Sequence, residues 1–221
     1  LETCFNKKMK QFHSIVIFIT TILCFSLWIA LKNFSLTYPL GITILAATSS
    51  IGIYKLTFNS LSFLMRKHKW IKKLILKKSY FEGTWAGFYY GVNGNIRFFI
   101  ETFEQDIDHL KMKGITYDET QKFHNTYFSE FINISIDKKE INYLYTVQSS
   151  KENTDGIGLA RFNFYYENNS SHPYKLLGIT KDRHLAKQCI GFEIKISDDI
   201  LDGTENITKA MEIYEQYKDK I

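Results

Sequence analysis

Acidic residues are nearly absent from the first third of this sequence. Among residues 1–78 there is one acid, Glu2, against twelve Lys/Arg. Cysteine and glycine are also sparse, at three and 12 in 221 residues, and there are only two prolines. Those counts exclude a collagen-like chain and a disulfide-rich scaffold. Cys4, Cys24 and Cys189 form no C-x-x-C pair and are odd in number, which supports neither a zinc site nor a disulfide framework. A reduced, cytosolic setting fits that cysteine usage. Catalytic signatures are missing as well: the chain has no HExxH, no phosphate-binding GxxxxGK[ST] and no GxSxG. His109, His124, His172 and His184 are scattered over strand ends and loops. The expectation is a protein that is not an enzyme and holds no metal.

What is present is apolar and aromatic. Hydrophobic residues make up 45% and aromatics 16%, enough for a packed core and against disorder. The net charge of +5 is an average over two unlike parts. Residues 79–221 contain sixteen Lys/Arg and 22 Asp/Glu, so a strongly basic segment precedes an acidic domain. The division predicts two domains, 1–78 and 79–221. The basic character belongs to the first of them and does not indicate binding of a DNA or RNA polymer.

Ser14 to Leu31 runs for 18 residues without a charge, and Asn33 to Tyr54 for another 22. About 20 apolar residues cross the hydrocarbon core as a helix. The pair predicts a two-helix transmembrane hairpin, with Pro39 near the start of the second helix, where proline is tolerated. A cleaved signal peptide is the alternative for the first segment, but the second follows it too closely. Lys7, Lys8 and Lys10 precede the hairpin, and Arg66, Lys67, Lys69, Lys72, Lys73, Lys77 and Lys78 follow it. Positive residues stay inside, so both termini and the acidic domain are expected on the cytoplasmic face of a bacterial inner membrane. Sequons such as Asn169-Ser170-Ser171 then carry no meaning. Between Leu56 and Leu76, apolar residues interleave with the basic cluster. That pattern reads either as a helix lying on anionic lipid headgroups or as a positive flank continuing the second helix. Gly41, Ala46, Ala47, Ser50 and Gly52 give the second span a small-residue face for helix packing, within one hairpin or between protomers.

After Tyr80 the apolar period becomes alternating. Eight strands are expected: Thr84–Tyr90, Asn95–Phe103, His109–Tyr117, His124–Ile136, Ile141–Gln148, Gly156–Glu167, Tyr174–Lys181 and Lys187–Ile196. The breaks between them hold turn residues, including Asn93-Gly94, Asp137, Asn153-Thr154-Asp155 and Asn168-Asn169. Short connections imply an antiparallel meander, and eight strands suffice to close a barrel. Thr204–Lys220 places Ile207, Met211, Tyr214 and Tyr217 on one helical face, so a C-terminal helix should pack on the barrel. The expected fold is mainly β: an N-terminal two-helix hairpin, then an eight-stranded antiparallel β-barrel with a C-terminal helix.

A barrel of this size holds side chains or one small ligand. Aromatic planes stack on nucleobases, and guanidinium forks fit phosphate oxygens. Arginine is rare in the acidic domain, at Arg97, Arg161 and Arg183 only, and these are its candidate anion contacts. Trp85 and Tyr89 share a face of the first strand with Gly87, and Gly156–Glu167 splits into an Arg161, Asn163, Tyr165 face and a Phe162, Phe164, Tyr166 face.

The order of features resembles the two-transmembrane, β-strand-rich effectors that accompany bacterial cyclic-nucleotide synthases in the antiphage systems called CBASS. The resemblance rests on two close N-terminal spans, the basic juxtamembrane stretch, and Phe81-Glu82-Gly83-Thr84-Trp85-Ala86-Gly87 opening the barrel. Leu177-Gly178-Ile179-Thr180-Lys181-Asp182-Arg183 followed by Gly191-Phe192-Glu193 is similar to the family's late-strand pattern. It covers essentially the whole chain and lies in architecture more than in any motif. It implies that a cyclic dinucleotide made on infection binds the barrel as an activating ligand. Bound protomers would then form a homo-oligomer, and their clustered spans would breach the membrane lipid and kill the cell. On that reading Arg97, Arg161 and Arg183 contact phosphates, Trp85, Tyr89, Tyr117 and Tyr145 stack or line the pocket, and Thr180 donates a hydrogen bond.

Two other readings use the same residues. Gly83-x-Trp85 also resembles the lipocalin signature, in which the Trp plugs the barrel base and a late Arg, here Arg183, packs across it. The cavity would then hold an apolar ligand. A membrane scaffold with a barrel filled solid by aromatics is the third.

Overall fold

The structure is a computed structural model that describes residues 4–37, 39–91, 93–107, 109–149, 156–167, 170–183, 188–201 and 206–220. The expected turn residues Asn153, Thr154, Asp155, Asn168 and Asn169, together with Lys187, His184 and Thr204, lie outside them. The chain divides into two compact units, Cys4–Ile75 and Leu76–Ile221.

The first unit is helical: α1 (Cys4–Thr37), α2 (Pro39–Lys67) and α3 (Lys69–Leu76), the last ending at the boundary. α1 and α2 form an antiparallel pair, since Phe12 meets Phe58 edge-on at 5.3 Å and His13 Nδ1 hydrogen-bonds the Tyr54 hydroxyl at 2.8 Å. Phe12, Val16 and Met65 are buried along this seam, whereas Phe18, Ile22, Phe25, Trp28, Ile44 and Ile51 are exposed. Several hydroxyls of these helices turn inward on their own backbone. Thr21 donates to the Ile17 carbonyl at 2.8 Å, Ser26 to Ile22 at 2.9 Å and Thr48 to Ile44 at 3.0 Å. Such back-bonding leaves few polar groups needing water on an apolar helix.

Phe12–Lys32 is long and apolar enough to cross a membrane, and it is the one such segment among the described residues. The second uncharged stretch differs from its sequence expectation because the helix break comes later than Lys32. α1 runs on to Thr37, so Asn33–Tyr54 is shared between two helices, and α2 starts at Pro39 itself. The Leu56–Leu76 stretch is likewise divided, by a break at His68.

The second unit is a closed eight-stranded antiparallel barrel in which each strand pairs with the next and β8 returns to β1. Its strands are β1 (Gly83–Tyr90), β2 (Ile96–Gln105), β3 (Leu110–Tyr117), β4 (Phe123–Ser135), β5 (Glu140–Ser149), β6 (Gly156–Tyr166), β7 (Pro173–Asp182) and β8 (Cys189–Ser197). Closure leaves no free edge. One end is plugged by aromatics: Phe81 lies stacked on Trp85 at 6.1 Å and edge-on to Phe164 at 5.3 Å, and Trp85 meets Phe103 at 6.0 Å. Trp85 donates its indole N–H to the Phe81 carbonyl at 2.9 Å, so the ring is both buried and satisfied. Gln105 ties the incoming chain to this plug, accepting from Phe81 N at 2.8 Å and donating to Ser79 O at 2.7 Å.

α4 (Ile207–Tyr217) covers the outside of the barrel. Its Ile207, Ala210 and Ile213 join Ala86, Phe88, Phe98, Ile100, Tyr117 and Phe192 in one apolar cluster. Tyr214 meets Phe88 edge-on at 5.0 Å, and Tyr217 meets Phe192 at 4.7 Å. Under this helix the outward side chains are as apolar as the inward ones, and β1 is buried on both faces over Gly83–Phe88.

Candidate functional site

The plug fills only one end. Beyond it the barrel encloses a cavity of about 240 Å³. Alternation sets who lines it. On β1 and β2 the residues after the plug are Tyr89, Phe99 and Glu101; β3 and β4 add Thr116, Asn125 and Tyr127. β5 and β6 add Tyr143, Tyr145, Val147 and Phe162, and β7 and β8 add Thr180, Asp182, Cys189 and Gly191. A space just below the usual range for drug-sized ligands, roughly 300–1,000 Å³, suits one planar ring system.

Glycines make room for the tyrosines. Gly114 stands across from Tyr127 and Gly158 across from Tyr145. A Cβ at either position would fall inside the opposite ring, at 2.1 and 2.3 Å. The phenols therefore lie flat over the neighbouring strand. Tyr145 donates to Asp182 Oδ1 at 2.7 Å, and Tyr143 stacks nearly parallel to Phe162 at 5.9 Å and 8°. Tyr127 donates to Glu101 Oε1 at 2.7 Å, and Tyr143 to the same oxygen at 3.2 Å.

Burial dominates the electrostatics. It pushes the Glu101 carboxyl up to about 7 against the opposing tyrosine hydrogen bonds. It raises Glu193 well above the usual carboxylate range, with the charge of Glu101 adding to it. Burial also raises Tyr89 and Tyr145, the first partly offset by Arg97 and the second reinforced by Asp182.

Three of the residues chosen from sequence, Tyr89, Tyr145 and Thr180, line this cavity together. Arg97 is half-buried and stands across from Tyr89, sharing its inward face at the open end of the barrel. Arg183 follows β7 at the same end, its N–H donating to the Ile157 carbonyl at 2.7 Å, and its side chain is exposed.

The other three lie elsewhere. Arg161 points outward because even-numbered residues of β6 take the interior; its Nε is 3.3 Å from Asn142 Oδ1 and 4.0 Å from Glu140. Tyr117 is buried outside the barrel, beneath α4. Trp85 belongs to the plug, below the cavity. Nor does Arg183 cross Trp85: the cation there is Lys195, its strand partner, with Nζ 6.0 Å from the Trp85 ring and 4.4 Å from Tyr80.

Glu101, Tyr127, Tyr143 and Glu193 were not singled out from sequence. Their signal is an acid inside an apolar strand, as in Phe98-Phe99-Ile100-Glu101-Thr102-Phe103, at a position whose parity matches Phe99 and Phe103. No lysine or arginine lines the cavity among the described residues.

The fold is thus a closed barrel with an interior cavity above an aromatic plug. The chain matches no protein-family model and no curated protein sequence.

Proposed function

We propose that this chain is a membrane-anchored receptor and effector, in which the barrel takes a cyclic dinucleotide and the helical unit acts on the membrane. The observation that carries the reading is the polarity of the barrel. A stacking cavity sized for one base opens toward the end where Arg97 and Arg183 stand. One base enters between the rings of Tyr89, Tyr145 and Phe162, and the phosphates stay at the mouth. The acids Glu101 and Asp182 keep phosphate out of the interior.

The helical unit supplies the output. Phe12–Lys32 crosses the inner membrane and α2 returns alongside it, leaving both termini and the barrel cytoplasmic by the distribution of lysine and arginine. α3 presents Trp70 and Leu74 one turn apart and exposed among lysines, fitting a helix at the headgroup layer. Ligand-bound protomers associate through the apolar helices and disrupt the bilayer, as in the CBASS effectors the sequence resembles.

Calorimetric titration of the full chain in detergent with a panel of cyclic dinucleotides tests the binding step. No heat with any of them would sink it. The output is tested with dye-filled liposomes: vesicles that stay sealed when protein and a binding dinucleotide are both present rule out membrane disruption.

The lipocalin-like reading draws on the Trp85 plug and the cation over it. Its prediction is tight fatty-acid binding in the same titration, which a cavity of about 240 Å³ lined by Glu101, Asn125 and Asp182 disfavours.

A further inference from the structure

α4 packs on β1 and β2, where the outward Phe88 and Phe98 are buried beneath it. Around the barrel, β4 to β6 keep apolar side chains in the open. Phe131 and Leu159 are each 63% exposed.

A break in register puts Phe131 there. Tyr127 and Ser129 pair with Val147 and Tyr145, and Tyr127, Val147 and Tyr145 line the cavity. Strict alternation would turn Phe131 inward as well. Instead the register shifts between Ser129 and Phe131, with Glu130 as the extra residue, and Ile132 takes the interior at 7% exposure. The Met112 amide, next in line to pair with β4, donates to Ser129 Oγ at 2.8 Å.

The shift brings Phe131 of β4, Leu144 of β5, Leu159 of β6 and Lys181 of β7 into line as successive pairing partners. Neighbouring strands lie roughly 4.8 Å apart, so these side chains form one continuous outward row. A bulge that served curvature alone would work with polar residues outside. A phenylalanine and two leucines in one row mark a contact surface. Opposite charges close its two ends. Glu130, which accepts from Thr146 Oγ1 at 2.9 Å, is exposed beside Phe131, and Lys181 is exposed beyond Leu159.

We infer that this row, Phe131–Leu144–Leu159 between Glu130 and Lys181, is the face on which a second copy of the barrel docks. The charge order selects the occupant. A contact between identical copies must be complementary to itself, and this row is complementary to its own reverse. A two-fold axis along the strands sets Leu144 against Leu159 of the second copy. The same axis sets the acid and ring at one end against the second copy's lysine. It also leaves the plug ends, where both chains enter, on one side, as two copies anchored in one membrane require. The inference goes beyond the receptor reading, in which protomers associate through their helices, and it needs no nucleotide.

The test is sedimentation of the full chain in detergent over a range of concentrations, without nucleotide. The parent chain should form a dimer whose fraction rises with concentration. Leu159→Asp should weaken it by about tenfold or more, as loss of an apolar centre does. Glu130→Lys and Lys181→Glu should each weaken it by about tenfold, because like charges then meet across the axis. Both reversals on one chain should bring the dimer back to within about threefold of the parent, since opposite charges face each other again. Thermal melting confirms that each variant is folded. A monomer at every concentration overturns the face. So does a dimer indifferent to Leu159→Asp, which the helices alone would hold, or a double reversal no tighter than the single ones. Failure here leaves the nucleotide titration and the dye-release assay to judge the receptor reading, and failure of those leaves this face standing.

Discussion

Gly158 of β6 faces Tyr145 of β5, and the Tyr145 ring occupies the space where a side chain at 158 would begin, with its Cζ 2.3 Å from an ideal Cβ. The glycine is thus a determinant of cavity shape. Tyr145 can lie across the strand and reach Asp182 only because nothing stands beneath it.

Gly158→Ala should lift the ring, break the Tyr145–Asp182 hydrogen bond and shrink the cavity. Overpacking of this kind costs about 1–3 kcal/mol, so the urea midpoint should fall while the far-UV spectrum stays β-rich. Tyr145→Ala should cost less in the Gly158→Ala background than in the parent chain, since it vacates the contested space. If the two substitutions are additive, the ring is not what the glycine accommodates.

The buried carboxyls give stability a pH dependence of definite sign. Glu101 is held at about 7 in the folded barrel, against 4.5 for an ordinary glutamate, and Glu193 is also raised. The folded state therefore binds more protons than the unfolded chain between about pH 4.5 and 7. Stability contributed by the protonated form is fully present below that window and is lost as pH rises through it. The two carboxyls titrate as a pair, so the loss across that window belongs to both together. Thermal melts in matched ionic strength should show a midpoint that falls with rising pH. Glu193→Gln, which removes the like charge beside Glu101, should flatten that fall and stabilise the protein at pH 8. A midpoint that rises from pH 5 to 8 would contradict the assignment.

Among the three arginines the positions separate. Arg97 and Arg183 stand at the open end of the barrel, whereas Arg161 is on the outer wall beside Glu140 and Asn142. Alanine at 97 or 183 should weaken cyclic-dinucleotide binding by about tenfold each and reduce its salt dependence, as loss of a phosphate contact does. Arg161→Ala should change neither, because its exposed ion pair contributes little. Equal losses at all three would place the phosphates elsewhere.

Strand positions were legible because β-alternation is a one-bit signal with wide support. All eight strands fall within two residues of their sequence-derived ends, and the tail helix lies inside its expected span. The phase of that alternation was harder. Arg161 and Phe162 are adjacent and both plausible inward, and a one-residue choice inverts the whole strand. Tyr117 was obscured for a different reason. α4 makes the outer face of β1, β2, β3 and β8 apolar through Phe88, Phe98, Tyr117 and Phe192, so hydrophobicity no longer marks the interior. Glu101 and Glu193 escaped notice because a lone acid in a strand reads as solvated until closure of the barrel puts it inside.

The exposed apolar side chains of α1 lead to the last prediction. Ile17 is 55% exposed, Phe18 67% and Ile22 50%, on a helix where Thr21 and Ser26 already donate to its own carbonyls. In water such a surface would drive aggregation; in hydrocarbon it is the natural contact surface. Replacing both Phe18 and Ile22 by Asp puts two charges near the middle of Phe12–Lys32, at about 2.5–3.5 kcal/mol each on the insertion scale. After alkaline extraction of membranes, the parent chain should remain in the pellet and the double variant should move to the supernatant. The soluble variant should keep its nucleotide binding, because these positions lie outside the barrel. Retention of the variant in the pellet, or release of the parent chain, would mean that α1 is not the anchor.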